Sequence, residues 1–119
     1  MKTALVIDDN DNNLLLEKDL LEVDGFEVYI AKNATNGISI ARSKKPSIII
    51  MDMRLPDMRG SDAAKILLKY PETRHIPVVF VTASVLAEGI EEIKTIPNAV
   101  FISKPINTRT FAKEVNQFM

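Results

Sequence analysis

Five four-residue apolar runs, at 4–7, 28–31, 48–51, 78–81 and 99–102, constrain this chain more than any other feature. They are mostly β-branched or aromatic, and continuous rather than alternating. Such runs suit strands buried on both faces, as in a parallel sheet. Their starts lie 24, 20, 30 and 21 residues apart, which leaves room for one crossover helix each time.

Helical spacing fills those gaps. Ala34, Ile38 and Ala41 recur at i, i+4 and i+7, as do Phe111, Val115 and Phe118. Ala63 with Leu67 and Ala64 with Leu68 predict the third helix, and Leu86, Ile90 and Ile93 the fourth. Gly25 reads as the stop of the first helix, and Asn107 or Thr108 as the N-cap of the last. Pro46, Pro77 and Pro105 punctuate loops or strand starts. No repeat, low-complexity tract or linker interrupts the pattern. The expectation is an α/β fold, a (βα)5 unit spanning one domain, residues 1–119.

Composition excludes several function classes. At 46% hydrophobic and 26% charged residues the chain matches globular averages, so disorder is not expected. A net charge of −1 draws neither nucleic acid nor anionic lipid. The absence of cysteine removes disulfides, thiolate metal sites and cysteine nucleophiles. A single histidine, His75, rules out a multi-histidine metal site and most triads, and reads as a loop residue. No strictly apolar run exceeds four residues, which is too short for a membrane span or a secretory signal. A soluble, cytoplasmic protein is expected.

An open doubly wound parallel sheet binds its ligands beyond the carboxyl ends of the strands, at the topological switch point. Four of the five runs end in side chains that carry chemistry. Asp8-Asp9-Asn10 follows the first, Asp52 ends the third, Thr82-Ala83-Ser84 follows the fourth and Ser103-Lys104-Pro105 the fifth. The flavodoxin-like order 2-1-3-4-5 sets strand one beside strand three and brings Asp8, Asp9 and Asp52 together. At about 5 Å and an effective dielectric near 20, each like-charged pair costs roughly 3 kcal/mol. Repulsion of that size raises a pKa or recruits a cation. Asp8-Asp9 alone reads better as a solvated turn or helix cap; with Asp52 beside it, a hard divalent ion such as Mg²⁺ fits better.

Rival sites fail on residue content. Dinucleotide and P-loop folds need a glycine-rich turn after the first strand, but the four glycines are isolated at 25, 37, 60 and 89. A flavin phosphate is repelled by two aspartates unless a metal intervenes. A haloacid-dehalogenase-type phosphatase needs a second acid two residues after its nucleophile, where this chain has Arg54.

The segments Val6-Ile7-Asp8-Asp9-Asn10, Ile50 to Gly60, Ile76-Pro77-Val78-Val79, Val81-Thr82-Ala83 and Ser103-Lys104-Pro105 stand in order at specific spacings. In these the chain resembles the receiver domain of two-component response regulators over essentially its full length. The resemblance implies that Asp52 attacks the phosphohistidine of a partner kinase and becomes an aspartyl phosphate. It implies Mg²⁺ (or Mn²⁺) held by Asp9, Asp52 and the Arg54 carbonyl, with Asp8 on a metal-bound water. Lys104 and Thr82 would each take a phosphoryl oxygen, and Pro105 would follow a cis peptide. Such a domain promotes only its own phosphorylation and dephosphorylation.

The resemblance also implies an output. Thr82 moving toward the phosphoryl group would free space for Phe101, three residues before the lysine; the alternative is a permanently packed Phe101. Helix four, strand five and helix five would form the surface for a downstream protein. The chain departs from the family where Ile96-Pro97-Asn98 replaces a glycine-containing turn. Arg54 and Ser84, two residues beyond Asp52 and Thr82, occupy positions that tune phosphoryl lifetime.

On helix one, Leu14, Leu16, Leu20, Leu21 and Val23 are expected on one side and Leu15 roughly opposite. Leu15 is then either an ordinary exposed leucine or a docking contact for the histidine kinase or histidine phosphotransfer protein. The net charge and short apolar runs give no reason to expect a nucleic-acid or membrane partner, and direct gene regulation is not expected unless the chain is a fragment, since no DNA-binding domain follows Met119; a homodimer is compatible with the sequence. The competing readings are a domain excised from a hybrid kinase or multidomain regulator, and a constitutive interaction module.

Overall fold

The computed structural model describes residues 2–83 and 87–119. Strands and helices alternate as β1 (Thr3–Ile7), α1 (Asp11–Val23), β2 (Glu27–Ala31), α2 (Ala34–Lys44), β3 (Ile48–Met51), α3 (Gly60–Leu67), β4 (Val78–Thr82), α4 (Ala87–Lys94), β5 (Ala99–Ser103) and α5 (Phe111–Gln117). The strands form one parallel sheet, as the spacing of the apolar runs predicts, in the flavodoxin-like order β2-β1-β3-β4-β5.

Successive side chains of a strand point to opposite faces, so each central run feeds two cores. Leu5, Ile7, Ile49, Met51, Val78 and Phe80 pack with α2, α3 and α4. Ala4, Val6, Ile48, Ile50, Val79 and Val81 pack with Leu14 and Leu21 of α1 and Phe111 and Val115 of α5. Full two-sided burial holds for β1, β3 and β4 apart from the half-buried Thr3. It does not hold for β2 and β5, the sheet edges, where Glu27, Ile30 and Ser103 reach solvent.

Helix faces follow the expected spacing in α2, α3 and α5, where Ala34, Ala41, Ala63, Ala64, Leu67, Phe111 and Val115 are buried. In α4, Ile93 is buried; Leu86 and the side chain of Ile90 lie outside the described residues. Helix α1 corrects the expectation. Its inner stripe is Leu14, Glu17 and Leu21, whereas Leu16 is 41% and Val23 89% exposed. At 100° per residue both lie roughly 130–150° from that stripe, too far round to reach the sheet.

Local signals settle the element ends. Asn10 and Asn33 each accept a hydrogen bond from the amide three residues on, at 3.0 and 2.8 Å. Gly25, at φ +95°, closes α1 in the left-handed region that glycine alone enters freely. Asn98 takes φ +62° before β5, so asparagine fills a left-handed position without glycine. The start of α5 differs from expectation. Thr110 precedes Phe111 without a side-chain cap, and Asn107 instead opens the preceding turn by accepting from the Arg109 amide at 3.0 Å.

A cap from another part of the chain secures α2. The Asp57 carboxylate accepts from the Ala34 amide at 2.9 Å, the Thr35 amide at 2.8 Å and the Thr35 hydroxyl at 2.6 Å. The Thr35 hydroxyl and these amides hold its pKa down, from 3.8 to about 2. A carboxylate lowered in the folded state stabilises fully above 3.8 and loses that contribution as pH falls toward 2. Urea midpoints of the wild type therefore drop more steeply than those of Asp57→Asn across that acid range. Parallel curves would remove Asp57 from the acid response.

Candidate functional site

The acidic site forms where β1 and β3 end side by side. Asp8 continues β1, its amide donating to the Ala31 carbonyl at 3.1 Å, and the Asp52 amide donates to the Ile7 carbonyl at 3.0 Å. Carboxylate oxygens of Asp8, Asp9 and Asp52 all lie within 4.8 Å of one another. Asp8 is 2% exposed, Asp52 half-buried and Asp9 open to solvent. Burial raises the pKa of Asp8 above its ordinary value, opposed by the Asn10 amide, which donates to Oδ1 at 2.9 Å.

Lys104 enters from the end of β5. Its Nζ stands 3.2 Å from Asp52 Oδ2 and 3.5 Å from Asp8 Oδ2. Burial alone would lower its pKa, but Asp52 and Asp8 outweigh it and the net shift is upward. Lys104 is therefore a fixed cation across the neutral range. The Lys104–Pro105 peptide is cis, as the resemblance implies. The Lys104 amide donates to the Thr82 carbonyl at 2.8 Å, which aligns the ends of β4 and β5. Thr82 is buried at the last position of β4, paired in register with Ser103.

The remaining sequence candidates fall into place unevenly. The Arg54 amide donates to Asp52 Oδ1 at 3.3 Å, while its side chain is exposed. Phe101 is half-buried, beside Phe80 in the sheet and against the core under α2, α3 and α4. Leu15 is 54% exposed, and Leu16 joins it at the surface, so two leucines rather than one face outward. His75 is exposed in the loop before β4 and takes no part in the site. Ser84 lies outside the described residues.

The donor set fits a hard divalent cation. Three carboxylates offer oxygen only, one of them from an exposed residue, leaving open positions for water and substrate oxygens. Among the described residues no helix is long and apolar enough to cross a membrane.

Two residues that sequence reasoning missed shape the site from behind. An ideal Cβ on Gly60 would lie 2.3 Å from the Asp52 carbonyl oxygen, so only glycine lets α3 start this close to the strand end. On either side of Gly60, Arg59 and Ser61 both donate to Glu92 of α4, the Ser61 hydroxyl at 2.7 Å. The second residue is Glu17, buried on the inner stripe of α1. Burial, and then the charge of Asp8, push its pKa up from 4.5 to about 8. Counting apolar residues alone could not find a carboxyl in a hydrophobic stripe.

Comparison with known proteins agrees with this geometry. Residues 4–116 match the response regulator receiver domain. The polar-differentiation response regulator DivK of Brucella anthropi is 33% identical over 118 residues, covering 99% of this chain and 96% of that protein. The chemotaxis response regulator CheY4 of Vibrio cholerae superposes with a TM-score of 0.93 at 23% identity, over 100% of this chain and 99% of that one, and so shares the fold. A response regulator receiver domain from Clostridium thermocellum superposes with a TM-score of 0.87 at 27% identity, covering 99% and 94%.

Proposed function

This chain belongs to the receiver-domain family of response regulators, and from that membership we propose that Asp52 is its phosphoacceptor and that residues 1–119 are one receiver domain. Its role is that of a phosphoacceptor module in two-component signalling. One observation carries the assignment of Asp52: its carboxylate meets Lys104 at 3.2 Å where three carboxylates converge.

In the proposed reaction an Asp52 oxygen attacks phosphorus on a histidine kinase or histidine phosphotransfer protein. The P–O bond forms as the P–N bond breaks, and the electron pair returns to the imidazole. Asp9, Asp52 and the Arg54 carbonyl would hold Mg²⁺ or Mn²⁺ directly, with Asp8 acting through water. When bound, the ion neutralises charge between the carboxylate and the incoming phosphoryl oxygens. Lys104 then pairs with one phosphoryl oxygen, and the Thr82 hydroxyl, from the end of β4, with another. Arg54, whose amide touches the Asp52 carboxylate, and Ser84, two residues beyond Thr82 in sequence, are the positions that tune hydrolysis. The chain promotes its own phosphorylation and dephosphorylation and acts on no separate substrate.

The phosphoryl group adds about −1.5 to −2 charge at the end of β3. Attraction of Thr82 toward it vacates space beside β4 into which Phe101, now half-buried, packs. The output surface is then α4, β5 and α5, read by a downstream protein in the cytoplasm. The test is intact mass after incubation with Mg²⁺ and a small acyl-phosphate donor. A single added phosphoryl group supports the reading, and none, with no Mg²⁺ binding, sinks it.

Leu15, with Leu16 beside it, forms the docking contact for the phosphodonor. Leu15→Lys should slow transfer from a phosphorylated kinase by about tenfold, the scale of a single interface anchor. Phosphorylation by the small donor should be unchanged. Equal kinase rates for both proteins would discard the contact.

A further inference from the structure

Glu17 lies on α1 between Leu14 and Leu21, both packed against the sheet, and is itself 2% exposed. An apolar residue would complete that stripe. Among the described residues Glu17 makes no hydrogen bond or ion pair, and its oxygens are not sealed off without a partner. It does border a cavity of about 310 Å³, and Lys104 borders the same cavity, with Leu16, Ala83, Pro105 and Ile106 as largely apolar walls. Lys104 thus stands between two carboxyl systems. Asp52 and Asp8 lie on one side within 3.2 and 3.5 Å, and Glu17 lies across the cavity.

We propose that Glu17 is a positioning residue for Lys104, offering the ammonium a second seat behind the acidic site that competes with a phosphoryl oxygen on Asp52. The inference rests on Asp52 being the phosphoacceptor. A lysine bonded to two carboxylates and attracted by a third has more to give up on reaching forward than one without the third. Glu17 therefore limits how much phosphorylated form accumulates.

The strength of that seat depends on the charge Glu17 carries. The charged groups around it are Asp8 from the end of β1, Lys104 from β5 and Asp52 from β3; its neighbours on α1 at the cavity are Asn13 and Leu16. Burial and Asp8 raise its pKa to about 8. Below that pH the neutral acid is a weak competitor; above it the carboxylate is a strong one. A bound divalent cation draws the midpoint lower, which makes an uncharged isostere the proper reference.

The test compares wild type with Glu17→Gln at saturating Mg²⁺ and a small acyl-phosphate donor, reading the phosphorylated fraction by intact mass across pH. Wild type should fall below Glu17→Gln by roughly fivefold on the alkaline side, the size of one modest charge-assisted contact, and approach it in mild acid. In the Lys104→Met background the difference should vanish. A uniform difference that survives there would mean the charge acts on the phosphoryl group directly, and would overturn the proposal. Identical wild-type and Glu17→Gln profiles would overturn it too. Thermal unfolding of Glu17→Gln, which keeps shape and loses only charge, checks that the fold is intact. The Lys104 side-chain NMR signal gives a readout free of phosphorylation, with a step near pH 8 in wild type that is missing in Glu17→Gln. A wild type that takes no phosphoryl group and binds no Mg²⁺ would sink the Asp52 reading, while that signal still decides the Glu17–Lys104 contact.

Discussion

Asp52→Asn should take up no phosphoryl group at any donor concentration, while folding as the wild type does. The substitution keeps the size of the side chain and removes its charge, so the attacking oxygen becomes a feeble amide nucleophile. It also withdraws one of the three carboxylates that lie within 4.8 Å of one another. Divalent-cation affinity should therefore fall by about tenfold or more, since one unit of attraction at close range has gone. Lys104 keeps Asp8 at 3.5 Å, so the ammonium is not stranded. Intact mass and a Mg²⁺ titration together measure the result. Mass gain in Asp52→Asn would move the acceptor to another residue, and unchanged affinity would move the cation away from Asp52.

Gly60→Ala should damage stability and phosphorylation together. The added methyl would sit 2.3 Å from the Asp52 carbonyl oxygen and 3.0 Å from the Met53 Cα. Both are backbone atoms, so no rotamer relieves the clash. Overpacking of this kind costs about 3 kcal/mol, well beyond the roughly 1 kcal/mol by which alanine improves on glycine within a helix. Yielding means moving the strand end that carries Asp52, so phosphorylation should slow by about an order of magnitude, given how steeply catalysis falls with misplacement. Gly37→Ala is the control. There the nearest atom, at 2.4 Å, is the tip of the Ile7 side chain, which can swing aside. Urea denaturation of both variants checks the ranking. A neutral Gly60→Ala would show that α3 can retreat from Asp52.

Much of the fold was legible because two-sided burial forces continuous apolar runs, and the five runs became the five strands with little shift of boundary. The acids were legible because the flavodoxin-like sheet order sets the ends of β1 and β3 side by side, and Lys104 because it sits in a motif that resembles the receiver family's. What sequence did not reveal depends on contacts between distant segments. Asp57 looks like an ordinary loop acid until it caps α2 from 23 residues away. Gly60 looks like a simple helix start until the Asp52 carbonyl stands over it. A polar residue in an apolar stripe reads as the outer face, so sequence pattern hides Glu17 and turns Leu16 and Val23 inward, where the structure has the reverse. At the edges, β2 and β5 carry strand-like runs but only one covered neighbour, and no local pattern distinguishes an edge strand from a central one.

The paired contacts on Glu92 have a mechanical meaning. Arg59 and Ser61 grip α4 from positions flanking the glycine that rests on the Asp52 carbonyl. Arg59 also bridges to Arg54, whose amide donates to the Asp52 side chain. Backbone and carboxylate of one residue are thus tied to the same helix by two short chains of contacts, so the end of β3 and α4 share one set of fastenings.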